Sequence, residues 1–569
     1  MSESTETESS RPAVVPEPLA ARRSVRLALA LTAAVGVFGL VARHDMLVWG
    51  LVRPGPVNVY FRLYALHEPV PLLLLLGWTI VTALVVRGRT RGAAGDAMIE
   101  RMRAPSARVV AAVALVVFGV ALATWYGVHH ATLLTMDEFT SDFQARIIAR
   151  GKLEATIPAE WQPYVEALSP VFTAYQGLAG NWVSQYLPGY ALMKTPFLLL
   201  GLGAVLNPLL SALSVALLAA IARRLWPDEG LRPWLALGFL VTSSELLMTS
   251  GTGYSMPAHL ALNLLWLWLY LRGDARSWGW ALAVGVLALG LHNPMPHALF
   301  VAPFLIRLLR EKRWQRAGAA VIAYGLGSAL WFSWLRMANP LARPDGPGLF
   351  TMFAWPNRLA FWLQTTHVSL LMTWHAPLFG VLALIGIARA RRLDPVLRDV
   401  ALGVGLTLGF YLFFPLTQGH GWGYRYAYQV LGSLSLLAAA GAPSLVAAAG
   451  ARRAQWLLAG SFALAVLVQV PLRFAQGERF IRPYAAAYRH VLAKPVDVVV
   501  VHADSVWYGR DLIRNDPFLR DQPVVLNASL LTPQMYATIV RTHPGRVVDV
   551  SSSELLALGL TLWARRDGY

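Results

Sequence analysis

A chain of 569 residues that is 56% hydrophobic and 14% charged is too apolar to be a soluble protein of that size. Its formal charge of +18 arises from 49 Lys and Arg against 31 Asp and Glu, but the basic residues sit in short clusters between apolar runs. That pattern excludes a nucleic-acid surface and fits the loops of a polytopic membrane protein, while the lack of cysteine excludes disulfides, thiolate nucleophiles and Cys-ligated metals.

In chain order, residues 1–21 are rich in Ser, Thr, Glu and Pro and read as a disordered cytoplasmic tail. Arg22, Arg23 and Arg26 then precede an apolar run, 27–42, with no small-residue cleavage site after it, so a retained anchor is expected rather than a signal peptide. A requirement of about 17–25 apolar residues per crossing gives further spans at 70–87, 109–130, 206–225, 231–250, 256–272, 278–292, 296–310, 317–335, 368–389, 398–416, 426–447 and 454–473, about 13 in all. Pro294 and Pro296 mark a broken turn between two of them. The expected fold is mainly α, a polytopic transmembrane bundle. An additional N-terminal pair of spans (22–108) precedes a core (109–475), and a small extracytoplasmic α/β domain (476–569) follows. Basic clusters at Arg87 to Arg108, Arg223-Arg224, Arg307 to Arg316, Arg389 to Arg398 and Arg452-Arg453 place the N-terminus in the cytoplasm. An odd number of spans puts the C-terminus outside. No internal repeat is visible.

Two long outer loops remain. The first, 131–205, opens on Asp137-Glu138 within MDEFTSDFQARIIARGKLEA and carries an amphipathic stretch, Phe139 to Ile148. It also holds Trp161, Tyr164, Phe172, Tyr175, Trp182 and Tyr186, and the Pro-interrupted piece LPGYALMKTPFLLLGLG. Such a loop is expected to lie on the membrane. The second, 336–367, reads the same way. In the C-terminal segment, DVVVVHA, PVVLNAS and RVVDVSS are short β-branched runs separated by helices, the alternation of a parallel α/β unit. The charged stretch WYGRDLIRNDPFLRD within it reads as a solvated face.

Asp137 is the candidate general base, taking a proton from an acceptor hydroxyl. Thr135-x-x-Glu138 also fits a capping box, in which Glu138 orients its neighbour; Asp142 reads as solvating the helix. The Asp-Glu pair after an early span, an amphipathic helix ending in Gly-Lys, the LPGYALM piece and a span ending in IARRLW together resemble the GT-C glycosyltransferases. Within these, the chain is similar to the family-39-type and aminoarabinose-transferase-like membrane enzymes. The resemblance covers about 109–475 and implies a polyprenyl-phosphate-linked sugar donor, chemistry on the non-cytoplasmic face, and Asp137 as catalytic base beside Glu138. Two departures are the extra N-terminal pair of spans and the segment TSGTGYSMPAHLALN, which lacks the arginines often found at that turn.

A departing phosphate needs donors, which arginine supplies best. In TQGHGWGYRYAYQ, Arg425 is the first choice, with His420 and Tyr424 beside it and Gly419, Gly421 and Gly423 suiting a loop that approaches a ligand. His292 and His297, flanking NPMP, are second candidates for the phosphate, since ionisable groups at membrane depth are usually functional or paired. Their spacing is not a recognised metal motif, so no metal or other cofactor is expected. Lys194 is a further donor-side candidate; it, Gln185 and Tyr186 are placed to touch donor or acceptor, with simple interface anchors the favoured reading. The expected partners are the lipid-linked donor, a glycan, lipid or protein acceptor and the bilayer. The competing readings are a transporter of a lipid-linked sugar or small solute, and a ligase or polymerase of lipid-linked saccharides. Polar residues gathered in loops on one face favour the enzyme over the transporter.

Overall fold

A computed structural model describes residues 18–50, 59–88, 102–176, 180–338, 353–392 and 394–561. Most of the expected tail and residues 339–352 of the second loop lie outside the described residues. Eight described helices are long and apolar enough to cross a membrane: Leu19–Val48, Pro69–Arg87, Ala107–Gly127, Leu206–Leu225, Trp314–Trp334, Pro395–Phe413, Arg425–Ala449 and Ala451–Leu492. A ninth results if Arg358–Thr373 and Leu378–Arg389, bent by 113° at a short break, count as one.

The expectation of about 13 spans is therefore corrected. Hydrophobicity alone merges segments that the backbone interrupts. The run 231–250 is two helices, Leu231–Val241 and Ser244–Ser250, because Ser243 accepts from the Leu246 N–H and starts a new helix. The helices Met256–Arg272, Ala275–Leu289 and Met295–Arg310 have 17, 15 and 16 residues. At 1.5 Å per residue they reach about 22–26 Å, short of the roughly 30 Å hydrocarbon layer. The break at NPMP is where the sequence places it. Elsewhere small residues let helices meet backbone to backbone: a Cβ on Gly386 would sit 2.1 Å from the Leu437 carbonyl oxygen, and one on Gly441 would sit 2.2 Å from that of Leu382.

At one end of the bundle the C-terminal segment forms a three-stranded parallel sheet. Val498–Val501 lies in the centre, flanked by Val524–Asn527 and Val547–Val550. All four central valines are buried, as expected for a strand covered on both faces. Val499 and Val501 pack with Ile481, Tyr484 and Val491 of the helix Val470–Leu492. Val498 and Val500 join Met136, Phe139, Phe143, Ile147 and Trp182 in one buried cluster. The amphipathic stretch of the first loop thus buries its apolar stripe inside the protein and not in lipid, which corrects the interfacial reading for that helix, while Leu192, Leu199, Leu200 and Leu202 further along the loop are exposed. The loop also folds a small antiparallel sheet from Ala155–Thr156, Asn181–Ser184 and Thr173–Gln176.

The helix carrying the C-terminal unit is continuous with a membrane span. Ala451–Leu464 passes through a π-helical turn, Ala465–Gln469, into Val470–Leu492.

Candidate functional site

Asp137 stands in the first turn of the helix Met136–Ile148, where a carboxylate is favoured by the helix dipole. Thr135 occupies the N-cap but makes no side-chain cap; its hydroxyl meets the Tyr254 hydroxyl at 3.0 Å. Glu138 accepts from the Leu134 N–H at 3.2 Å and the Gly253 N–H at 2.8 Å, so the expected capping box does not form. Glu138 instead ties this turn to the 252–254 segment. The N–H of Met136 donates to Asp511 Oδ2 of the C-terminal unit at 3.2 Å.

The two oxygens of Asp137 have different partners. Tyr186 donates to Oδ1 at 2.5 Å, and Arg425 Nη1 donates to Oδ2 at 3.1 Å. Tyr186 is held from behind. Its carbonyl accepts from Trp334 Nε1 at 3.1 Å, and the next turn is pinned by Gly189 N–H to the Gly290 carbonyl at 2.7 Å. A Cβ on Gly189 would lie 2.4 Å from that oxygen, so the approach requires glycine. The same pinning brings His292 against the Tyr186 ring, centroids 3.9 Å apart.

Arg425 is placed by its loop. The Gln418 side chain accepts from the Arg425 backbone N–H at 2.9 Å and donates to the Gly423 carbonyl at 2.6 Å. Gly423 has φ +86°, and a Cβ there would meet the Glu245 carboxylate at 2.3 Å. The absence of a side chain at Gly423 therefore makes room for Glu245. The guanidinium donates to the Tyr254 hydroxyl at 2.9 Å and lies over the Tyr254 ring. Its Nε is buried with no acceptor in hydrogen-bonding geometry among the described residues. His420 Nε2 reaches the Tyr254 hydroxyl at 3.1 Å, and burial pushes this imidazole down to about 3.

Burial alone would raise the Asp137 carboxyl; Arg425, His292 and the Tyr186 bond outweigh it and hold the group below its usual value. Asp137 is ionised at neutral pH. Glu138 is pushed up to about 7 by burial, against the opposing Gly253 N–H and Arg514. Because its folded value lies above the ordinary 4.5, the contribution to stability is fullest below that value and is lost as pH rises through about 7. In a Glu138→Gln variant that loss is absent. Melting temperatures taken in detergent from about pH 5 to about pH 8 should show the wild type losing stability relative to the variant.

Not every expected residue joins this cluster. His297 is enclosed by Asn263 Oδ1 at 2.8 Å and the Tyr324 hydroxyl at 3.1 Å, inside the helix packing, so the two histidines of HNPMPH part company. Tyr424 points into the core, where it donates to Gln364 Oε1 at 2.5 Å and stacks on His367. Lys194 lies on a different side of the Asp137 helix, 3.0 Å from Asp142, which Arg146 also bonds at 2.8 Å. Asp142 is buried and doubly paired, which corrects its reading as a solvating residue. These three side chains and Arg514 line a cavity of about 240 Å³ that Asp137 does not touch.

Sequence reasoning missed Tyr254, favoured an anchor's role over ligand contact for Tyr186, and took WYGRDLIRNDPFLRD for a solvated face. In that stretch Arg514 is buried, bonding the Leu134 carbonyl at 3.1 Å, and Asn515 is buried between Leu168 and Val525. A visible signal was the Asn-Asp-Pro that follows Arg514, which suits a turn. Tyr254 carried none.

No family model and no curated protein matches the chain. Among solved structures, it is similar to ArnT from Cupriavidus metallidurans bound to undecaprenyl phosphate, at 14% identity and a TM-score of 0.45, with 78% of this chain and 90% of that one covered. It is also similar to the apo state of the same protein, at 14% identity and a TM-score of 0.44, with 76% and 88% covered.

Proposed function

We propose that this protein is a membrane glycosyltransferase that moves one sugar from a polyprenyl-phosphate carrier to an acceptor hydroxyl or amine on the non-cytoplasmic face. The observation that carries the reading is the pair Asp137 and Arg425: an ionised carboxylate, partly open to solvent, beside a guanidinium whose Nε lacks an acceptor. The donor class comes from the resemblance of the Asp-Glu loop and the segments after it to GT-C enzymes.

In this mechanism the acceptor oxygen attacks the anomeric carbon while the bond from that carbon to the phosphate oxygen breaks. The acceptor's proton passes to Asp137, and the negative charge gained by the departing polyprenyl phosphate is met by Arg425. A single displacement inverts the anomeric centre. In the resting site the guanidinium suppresses the basicity of Asp137. A donor phosphate that draws Arg425 toward itself restores that basicity when the acceptor must be deprotonated. Glu138 holds the turn that presents Asp137.

Sugar transfer from a panel of radiolabelled polyprenyl-phosphate sugars, by purified protein with native membrane extract as acceptor, tests the proposal. Transfer of single sugars is expected. Movement of whole saccharide chains would instead define a ligase, and no transfer from any donor would remove the enzymatic reading. With activity in hand, Tyr186→Phe should lower kcat about tenfold, because Asp137 loses the bond that fixes its orientation toward the acceptor. It should also shift the acidic limb of the kcat/KM profile upward, because one of the groups holding Asp137 down is removed. Steady-state kinetics across pH reads both effects.

A further inference from the structure

We infer that the C-terminal α/β unit is a working part of the site, with Asp511 and Tyr508 as its positioning residues; this rests on the glycosyltransferase reading for its catalytic meaning. Asp511 Oδ2 accepts the Met136 N–H at 3.2 Å and so satisfies one of the open donors of a first turn that Thr135, turned toward Tyr254, leaves without a side-chain cap. The residue after Met136 is Asp137. Two neighbouring contacts fasten the same turn: Arg514 Nη2 donates to the Leu134 carbonyl at 3.1 Å, and the guanidinium is itself seated on the Tyr488 ring.

Tyr508 acts on the other half of the site. Its hydroxyl accepts the His420 backbone N–H at 3.1 Å and lies 3.4 Å from Nδ1 of the same residue. With one lone pair committed to the backbone, the phenolic proton is free to point at Nδ1. The neutral imidazole then carries its proton on Nε2 and donates to the Tyr254 hydroxyl, which also accepts from Arg425. Tyr508 thereby selects the tautomer that holds Tyr254 as an acceptor for Arg425. The backbone is shaped for this contact. Tyr508 has φ +51°, a left-handed conformation that a bulky residue rarely adopts, and Gly419, at φ +70°, approaches so closely that a Cβ would lie 3.0 Å from the Tyr508 hydroxyl.

Hydrogen–deuterium exchange of the full-length protein in detergent tests the clamp without reference to activity. Asp511→Ala should speed exchange in the peptide spanning 134–139, whereas Asp511→Asn, which keeps an acceptor oxygen, should stay close to wild type. Tyr508→Phe should speed exchange at 417–424. Under transfer conditions Tyr508→Phe and Asp511→Ala should each lower kcat about tenfold with little change in donor KM, with activity restored in Asp511→Asn. Unchanged exchange in both Asp511→Ala and Tyr508→Phe overturns the clamp, and changed exchange with unchanged kcat overturns the positioning role. If the wild type transfers no sugar, the exchange results still decide the clamp, and it is the enzymatic reading that fails.

Discussion

Asp137→Asn is expected to lower kcat by about 10²- to 10⁴-fold, the range supplied by a positioned general base, while the protein folds and binds donor no more weakly than wild type. The asparagine is nearly isosteric, and its carbonyl can still accept from Tyr186. Its amide would meet Arg425 Nη1 donor to donor, so the guanidinium is released from the 3.1 Å pairing and is freer to bind phosphate. Loss of rate with retained affinity separates a base from a residue that merely holds the fold. Donor affinity measured by equilibrium binding, beside single-turnover rates, makes that separation. A variant that keeps more than a tenth of the wild-type rate excludes Asp137 as the base.

Replacement of Arg425 by lysine should act the other way round. Lysine keeps the charge but loses the fork of donors, so donor affinity should fall about 10- to 100-fold and kcat should fall with it. The carboxyl of Asp137 should also respond. Arg425 is the foremost of the groups that lower it, so a weaker cation lets the value rise and carries the acidic limb of the pH profile toward neutrality. Arg425→Ala is the less informative change, because it leaves a carboxylate in a mostly closed site without its cation, which by itself costs several kcal/mol of stability. Equal donor affinity in wild type and Arg425→Lys would move the phosphate elsewhere, and the cavity lined by Lys194, Arg146 and Arg514 is then the place to look.

The membrane class, the Asp137 turn, Arg425 and the C-terminal strands were legible because each is a local pattern: a composition, a charge pair after a span, a basic residue in an aromatic loop, a run of valines. The pairings that hold Arg425 and its loop in place were not. Arg425 meets Tyr254 across 171 positions and His420 meets Tyr508 across 88, and no local spacing encodes such pairings. Hydropathy overcounted the spans because a window is blind to where a serine cap or a proline ends one helix and starts another. The stretch Phe139 to Ile148 was assigned to lipid because an apolar stripe states only that something covers it. Here the cover is a protein cluster that includes Trp182, whose ring meets Phe143 edge-on at 5.3 Å, and the distant Val498 and Val500. Asp142 and Lys194 were each weighed alone, and their meaning lies in their pairing.

The continuous helix Ala451–Leu492 has 42 residues, about 63 Å at 1.5 Å per residue, twice the thickness of the hydrocarbon layer. It works as a mast carrying the C-terminal unit at its top, and just above the π-helical turn it is stayed to the bundle: Arg473 bonds Glu68 at 2.8 and 2.7 Å and the Thr373 carbonyl at 3.3 Å, and Gln476 bonds the His67 carbonyl at 3.1 Å. Glu68 stands at the N-cap of Pro69–Arg87, the second of the spans that precede the core. The stays set the angle at which the upper helix leaves the bundle, and with it the height at which Tyr508 and Asp511 meet the loops of Asp137.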